Sequence, residues 1–305
     1  MGSSIPVAIN ALSNSAARQS AVDRLERICK LSCRHASLVL PKLVAVCYLA
    51  VGIAVGAQPT STRERITKLV IQVQRADYEG DRAALKRRYQ DLEEFVNDKE
   101  LGAKVQYWRG FAFWRRALNG FNDSVDRSEL EQDLKPAVSE FEMALIRNPA
   151  FVDARVGAGS CLLSLVFIHQ KDAVRVSELL AKAVPLLKEA GAAEPENPRY
   201  LWVRGASRWS WPPGDGAQAA AIAIYEKGLK SARERKNAAS DPLTPSWGEP
   251  ELLMNLAWSN LNRSTPDLAA AEQYARSALG LVPYWHYVKD ILISQIAAAR
   301  AKQNK

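Results

Sequence analysis

Acid–base or nucleophilic chemistry needs ionisable or nucleophilic side chains within hydrogen-bond reach of one another, so the histidines and cysteines are where a search for an active site begins. The 305-residue chain has three histidines and four cysteines. Beyond residue 57 only His169, His286 and Cys161 remain, far apart in sequence. His169 falls near the end of a helical stretch and reads as a surface or capping group. His286, between Trp285 and Tyr287, reads as a ring packed against aromatics. Cys29 and Cys33 form a C-x3-C pair with no second pair to complete a zinc site, and Cys161 reads as a small buried hydrophobe. There is no G-x-S-x-G, no H-E-x-x-H and no Walker loop; Gly214-Asp-Gly216 lacks the Lys-Ser/Thr that phosphate binding requires. The expectation is a protein that is not an enzyme, with no metal site and no cofactor.

The elements around these residues carry a clearer signal. Leu134 to Pro149 holds Ala137, Phe141, Ala144 and Pro149 at offsets of 0, 4, 7 and 12. The first three lie on one face of a 3.6-residue helix, and the proline stops it. Ala183, Leu187, Ala190 and Pro195 repeat the offsets. Ala221, Tyr225 and Gly228 repeat the first three, with Arg233 in place of the proline, and Ala271, Ala275, Ala278 and Pro283 make a fourth copy. The copies are spaced by 46, 38 and 50 residues. Such recurrence marks an array of helical hairpins. The partner helix of each hairpin should lie upstream with a small residue at the close-packing position; Gly110, Gly159, Gly205 and, more weakly, Ser259 fill that role.

This A-x3-[aromatic or Leu]-x2-A-x4-P signature resembles the second helix of the tetratricopeptide repeat, although that repeat has a period of about 34 residues. Extra loop residues are therefore expected at about 119–128, 211–215 and 235–248. The resemblance implies an all-α fold: a right-handed superhelix of four to five helical hairpins over about residues 60–300, plus a C-terminal helix. It also implies a concave surface lined by first helices, where the phase places Lys104, Tyr107, Trp108, Phe111, Trp114 and Arg115, with Arg199, Trp202 and Trp209 from the third pair. An aromatic face with basic edges suits an extended peptide or apolar segment; the alternative is that these rings are filled by the array's own terminal helices or are plain inter-helix core. The implied function is a non-catalytic binding or scaffold module. The irregular spacing also resembles the helical T-component of tripartite periplasmic (TRAP) transporters, which would handle a small apolar ligand, although a good lipobox is lacking.

Start and stop signals complete the outline. Ser128–Glu131 and Ser61–Glu64 read as capping boxes, and Thr265-Pro266 and Asn197-Pro198 as caps ahead of a first-turn proline. Residues 77–81 read as a turn between two N-terminal helices that cap the array. A last helix follows Pro283, with Ile291, Leu292 and Ile296 packing back. No sustained alternation predicts a strand.

Two domains are expected: residues 1–57 as an extension with a signal peptide or anchor, and 58–305 as the helical array. Leu43–Ala57 is an uncharged run preceded by Arg34 and Lys42 and ending in small residues, the pattern of an export signal. Left uncleaved, Leu38–Ala57 would attach the chain to the inner membrane. The expected location is the bacterial periplasm or envelope. The net charge of +8 is concentrated at the front, since residues 58–305 hold 35 basic against 31 acidic side chains. That balance, without a concentrated basic stripe, argues against nucleic acid as a partner.

Overall fold

The computed structural model describes residues 61–210, 213–235 and 241–303. The signal or anchor reading of Leu38–Ala57, and the boundary at residue 57, lie outside the described residues. Among the described residues there are eleven α-helices and no strand. They are α1 (Thr62–Glu79), α2 (Arg82–Asp91), α3 (Gly102–Asn122), α4 (Arg127–Arg147), α5 (Val152–Ile168), α6 (Ala173–Ala193), α7 (Pro198–Ser210), α8 (Asp215–Arg235), α9 (Glu249–Asn262), α10 (Leu268–Leu281) and α11 (Ile293–Gln303). A 3-10 turn at Glu93–Phe95 follows α2, and a π-helical turn at Tyr287–Leu292 runs into α11.

The helices pack in consecutive pairs, α3 on α4, α5 on α6, α7 on α8 and α9 on α10. Small side chains on the second helices set the approach. Ala137, Ala144, Ala183, Ala190, Ala221, Ala271, Ala275 and Ala278 are all completely buried. Where the second helix carries a large residue, the first helix answers with glycine. A Cβ at Gly110 would lie 3.0 Å from the Phe141 ring, one at Gly159 would lie 2.7 Å from Leu187, and one at Gly205 would overlap Tyr225. In the fourth pair the large position is Ala275 and the small one Ser259, so both sides of the rule relax together.

Proline sets where the second helices end. Helix α4 ends at Arg147, α6 at Ala193 and α10 at Leu281, each two residues before Pro149, Pro195 or Pro283. The residue before a proline is pushed out of the helical region, so termination falls there. Helix α8 has Arg233 at the matching position and continues to Arg235.

Several start signals are displaced from their expected places. Asp126, not Ser128, is the N-cap of α4. Asp267, not Thr265, caps α10, its carboxylate accepting from the Ala270 N–H. Asn197 does cap α7, accepting from the Arg199 and Tyr200 N–H groups. The expected turn at 77–81 is shorter: α1 runs through Asp77 and Tyr78 to Glu79, the chain reverses at Gly80 (φ +71°), and Asp81 caps α2. His286 sits partly exposed between Asp123 and Asp290. At the C-terminus Leu292 and Ile296 are buried, and Ile291 is half-buried against the core.

Candidate functional site: a strap across the first helices

Helix α3 presents Lys104, Tyr107, Trp108, Phe111, Trp114 and Arg115 at helical spacing, and α7 adds Arg199 and Trp202. The structure gathers these residues. Trp108 and Phe111 are 5.1 Å apart between ring centres, Phe111 and Trp114 6.2 Å, and Trp114 and Trp202 5.8 Å, all edge-on. Trp209 stands apart, against Trp258 of α9 at 5.2 Å.

Of the two readings of this face, open or filled by the chain itself, the structure shows the second. Tyr107, Trp108 and Trp114 have no exposure, Trp202 is 2% exposed, and Arg115 and Arg199 are buried; Lys104 alone keeps about a third of its side chain in solvent. Tyr107 stacks on Phe151 at 5.0 Å, and Tyr107 and Trp114 lie against Phe141 of α4 at 5.6 and 6.0 Å; two further elements complete the cover. Helix α1 packs on α3, and the non-helical segment 241–248 between α8 and α9 lies across the rings as a strap.

Each part of the strap has a partner on the first helices. Asp241 accepts from Lys104 and, at 2.8 Å, from Arg63 at the start of α1. Its own carboxylate then accepts from the Leu243 N–H, and Asp241 O accepts from the Thr244 N–H, making a turn with Pro242 inside. Burial works to raise the Asp241 carboxyl, but the Lys104 and Leu243 hydrogen bonds and the Lys104 and Arg63 charges outweigh it and hold it at about 2. Leu243 is fully buried and its carbonyl accepts from Trp108 Nε1 at 2.9 Å. Trp247 fills the slot between Phe111, Trp114 and Trp202, with ring centres 5.6, 5.6 and 5.7 Å away. Its indole N–H donates to Tyr107 Oη at 2.9 Å, and its carbonyl accepts from Arg199 Nη1 at 3.3 Å. Arg199 is itself braced by a bidentate pair with Asp153 at 2.8 and 3.1 Å.

A second polar group lies beneath the rings. Arg115 pairs with Asp77 of α1 at 2.7 Å and lies 3.7 Å from Glu251 of α9. Tyr78 donates to Glu251 at 2.8 Å, and Asn119 donates to Asp77. Burial acts to lower the Arg115 guanidinium, but the charges of Asp77 and Glu251 overcome it and hold it above its usual value. For Asp77 and Glu251 burial wins over Arg115, and both carboxyls are raised. The group ties α1, α3 and α9 together: Glu251 also accepts from the Gly248 N–H, which fixes the end of the strap.

In chemical terms this arrangement is a buried set of rings, indole donors and paired charges that fixes the strap to α1, α3, α7 and α9. Sequence reasoning missed Asp241, Leu243 and Trp247 because it treated 235–248 as an insertion. The signal was a Trp and two prolines in Asp-Pro-Leu-Thr-Pro-Ser-Trp, where each proline bars a helix and leaves an irregular segment with a large apolar anchor. Asp77 and Glu251 were missed because buried acids leave no periodic trace.

Comparison with protein-family models, with curated proteins and with solved structures found no match for this chain.

Proposed function

We propose that the chain is a non-catalytic recognition or scaffold protein built as a tetratricopeptide-like solenoid, binding a peptide or protein segment along the face of its first helices. The observation that supports this reading is the strap: the face already holds a non-helical segment by a charged clasp, a backbone carbonyl and an inserted indole. Repeat arrays use the extended concave surface of their repeats for binding. The mild charge excess of residues 58–305 fits a protein partner better than nucleic acid. In this reading the apolar run before residue 58 exports the chain to the bacterial envelope or anchors it there. A channel for a small apolar ligand, as in a T-component-like protein, draws no support from rings that close on one another and on Trp247.

Selection of a random peptide library on the full chain tests the reading. Enriched peptides are expected to lose binding in Lys104→Glu, which reverses the charge that meets Asp241 at the edge of the face. A library that yields no binder, or binders indifferent to Lys104→Glu, overturns it.

A further inference from the structure

Resting on that reading, we infer that residues 241–248 are a resident pseudo-ligand, and that the external partner carries a segment of the same chemistry: an acidic residue, an aliphatic residue two positions on and an aromatic residue six positions on. Three observations carry this. First, the strap's anchors are side chains and a carbonyl that a separate peptide could supply, with Asp241 on Lys104 and Arg63, the Leu243 carbonyl on Trp108, and Trp247 in the ring slot. Second, the strap belongs to the longest step of the array, the 50 residues between Ala221 and Ala271, so it is an addition to the repeat and not part of its hairpins. Third, two donors on rings that touch the strap are unpaired. The indole N–H groups of Trp114 and Trp202, both beside Trp247, are buried without an acceptor. A buried donor left unpaired is a standing cost to the folded state. A partner that places an indole or phenol in the slot and an acceptor within reach of Trp114 or Trp202 would make a bond that the strap does not. Exchange of one segment for another re-covers the rings, so it avoids the cost of exposing them.

The test is fluorescence anisotropy with a labelled peptide of the strap sequence, SDPLTPSWG, titrated into the full chain and two variants. Asp241→Lys breaks the clasp without emptying the core; Trp247→Ala empties the slot. The peptide is expected to bind the wild-type chain weakly and each folded variant at least tenfold more tightly. Lys104→Glu in the Trp247→Ala background, or Asp→Lys in the peptide, should abolish that gain. If Trp247→Ala does not fold, the Asp241→Lys variant decides. Folded variants that bind the peptide no better than wild type overturn the inference, as does loss of fold in both variants, which makes the strap ordinary core. Library peptides that bind the first-helix face but share nothing with the strap also overturn it, while leaving the proposed function standing.

Discussion

Phe141 of α4 is held between two glycines on different helices: a Cβ at Gly110 of α3 would lie 3.0 Å from its ring, and one at Gly157 of α5 would lie 2.5 Å from it. The ring therefore joins a pair to itself and to the next pair. Gly→Ala in a helix gains up to about 1 kcal/mol of propensity, whereas overpacking a closed contact costs ~1–3 kcal/mol. At Gly157 the contact is the closer, and the ring cannot retreat because α3 lies behind it. Gly157→Ala should lower the urea midpoint clearly, and Gly110→Ala should lower it less. Phe141→Leu placed in the Gly157→Ala background should recover part of the loss; no recovery would mean the ring is not what the new methyl meets.

Side-chain size explains much of what was legible in the sequence. Alanines, glycines and prolines at fixed offsets record how close two helices come and where one must stop, so α4, α6, α8 and α10 could be placed from the pattern alone. Aromatic residues record only that something large is buried. The spacing of Tyr107, Trp108, Phe111 and Trp114 did put them on one face of α3, but it could not tell whether that face meets solvent, a partner or the chain itself. The answer lay in α1 and the strap, contacts more than a hundred residues away for Leu243 and Trp247. Buried polar groups were less legible still: Asp77 looks like a turn residue until Arg115 and Asn119 are seen around it.

Breaking the Arg199–Asp153 pair should be costly. Both side chains are only 10% exposed, and Arg199 also holds the Trp247 carbonyl. Removal of one partner from a buried pair leaves an uncompensated charge, at about 3–5 kcal/mol. Asp153→Leu and Arg199→Met should each fall in that range by chemical denaturation. The double variant should be more stable than either single one, and the Arg199→Met change should also increase hydrogen exchange at residues 243–248. Additive losses in the double variant would count against a coupled pair.

Tyr107 and Trp247 make another coupled contact. Tyr107→Phe keeps the ring but leaves the Trp247 indole N–H without its acceptor in a buried slot. The expected cost is about 1–3 kcal/mol, read from the denaturation midpoint. Trp247→Phe in the same background should lose less than it does alone, because the unpaired donor is removed.

The acids around Arg115 set one limb of the pH response. Asp77 and Glu251 are raised above their ordinary values of 3.8 and 4.5. The folded chain thus holds these protons more tightly than the unfolded chain. Their contribution to stability is complete below those ordinary values and is lost as pH rises through the raised folded ones. Relative to Glu251→Gln, the wild-type protein should therefore gain stability as pH falls from neutrality toward 4.5. Parallel pH profiles for the two proteins would show that Glu251 does not titrate with folding.

Asp241 sets the opposite limb. Its carboxyl is held at about 2, below the ordinary 3.8, so its contribution is present above 3.8 and is lost as pH falls toward 2. Protonation there weakens the bonds to Lys104 and Arg63, and the strap loses its charged clasp while Trp247 keeps its ring contacts. Hydrogen exchange at residues 241–248, corrected for intrinsic rates, should accelerate between pH 4 and pH 2 before the helices of the core open. The same acceleration should already be present at pH 5 in Asp241→Asn, which cannot make the charged contact at any pH. Higher salt should act in the same direction at pH 5, since the clasp is partly exposed and screened. If the wild-type strap and the core helices open together in acid, or if Asp241→Asn exchanges like wild type at pH 5, then Asp241 does not govern the strap.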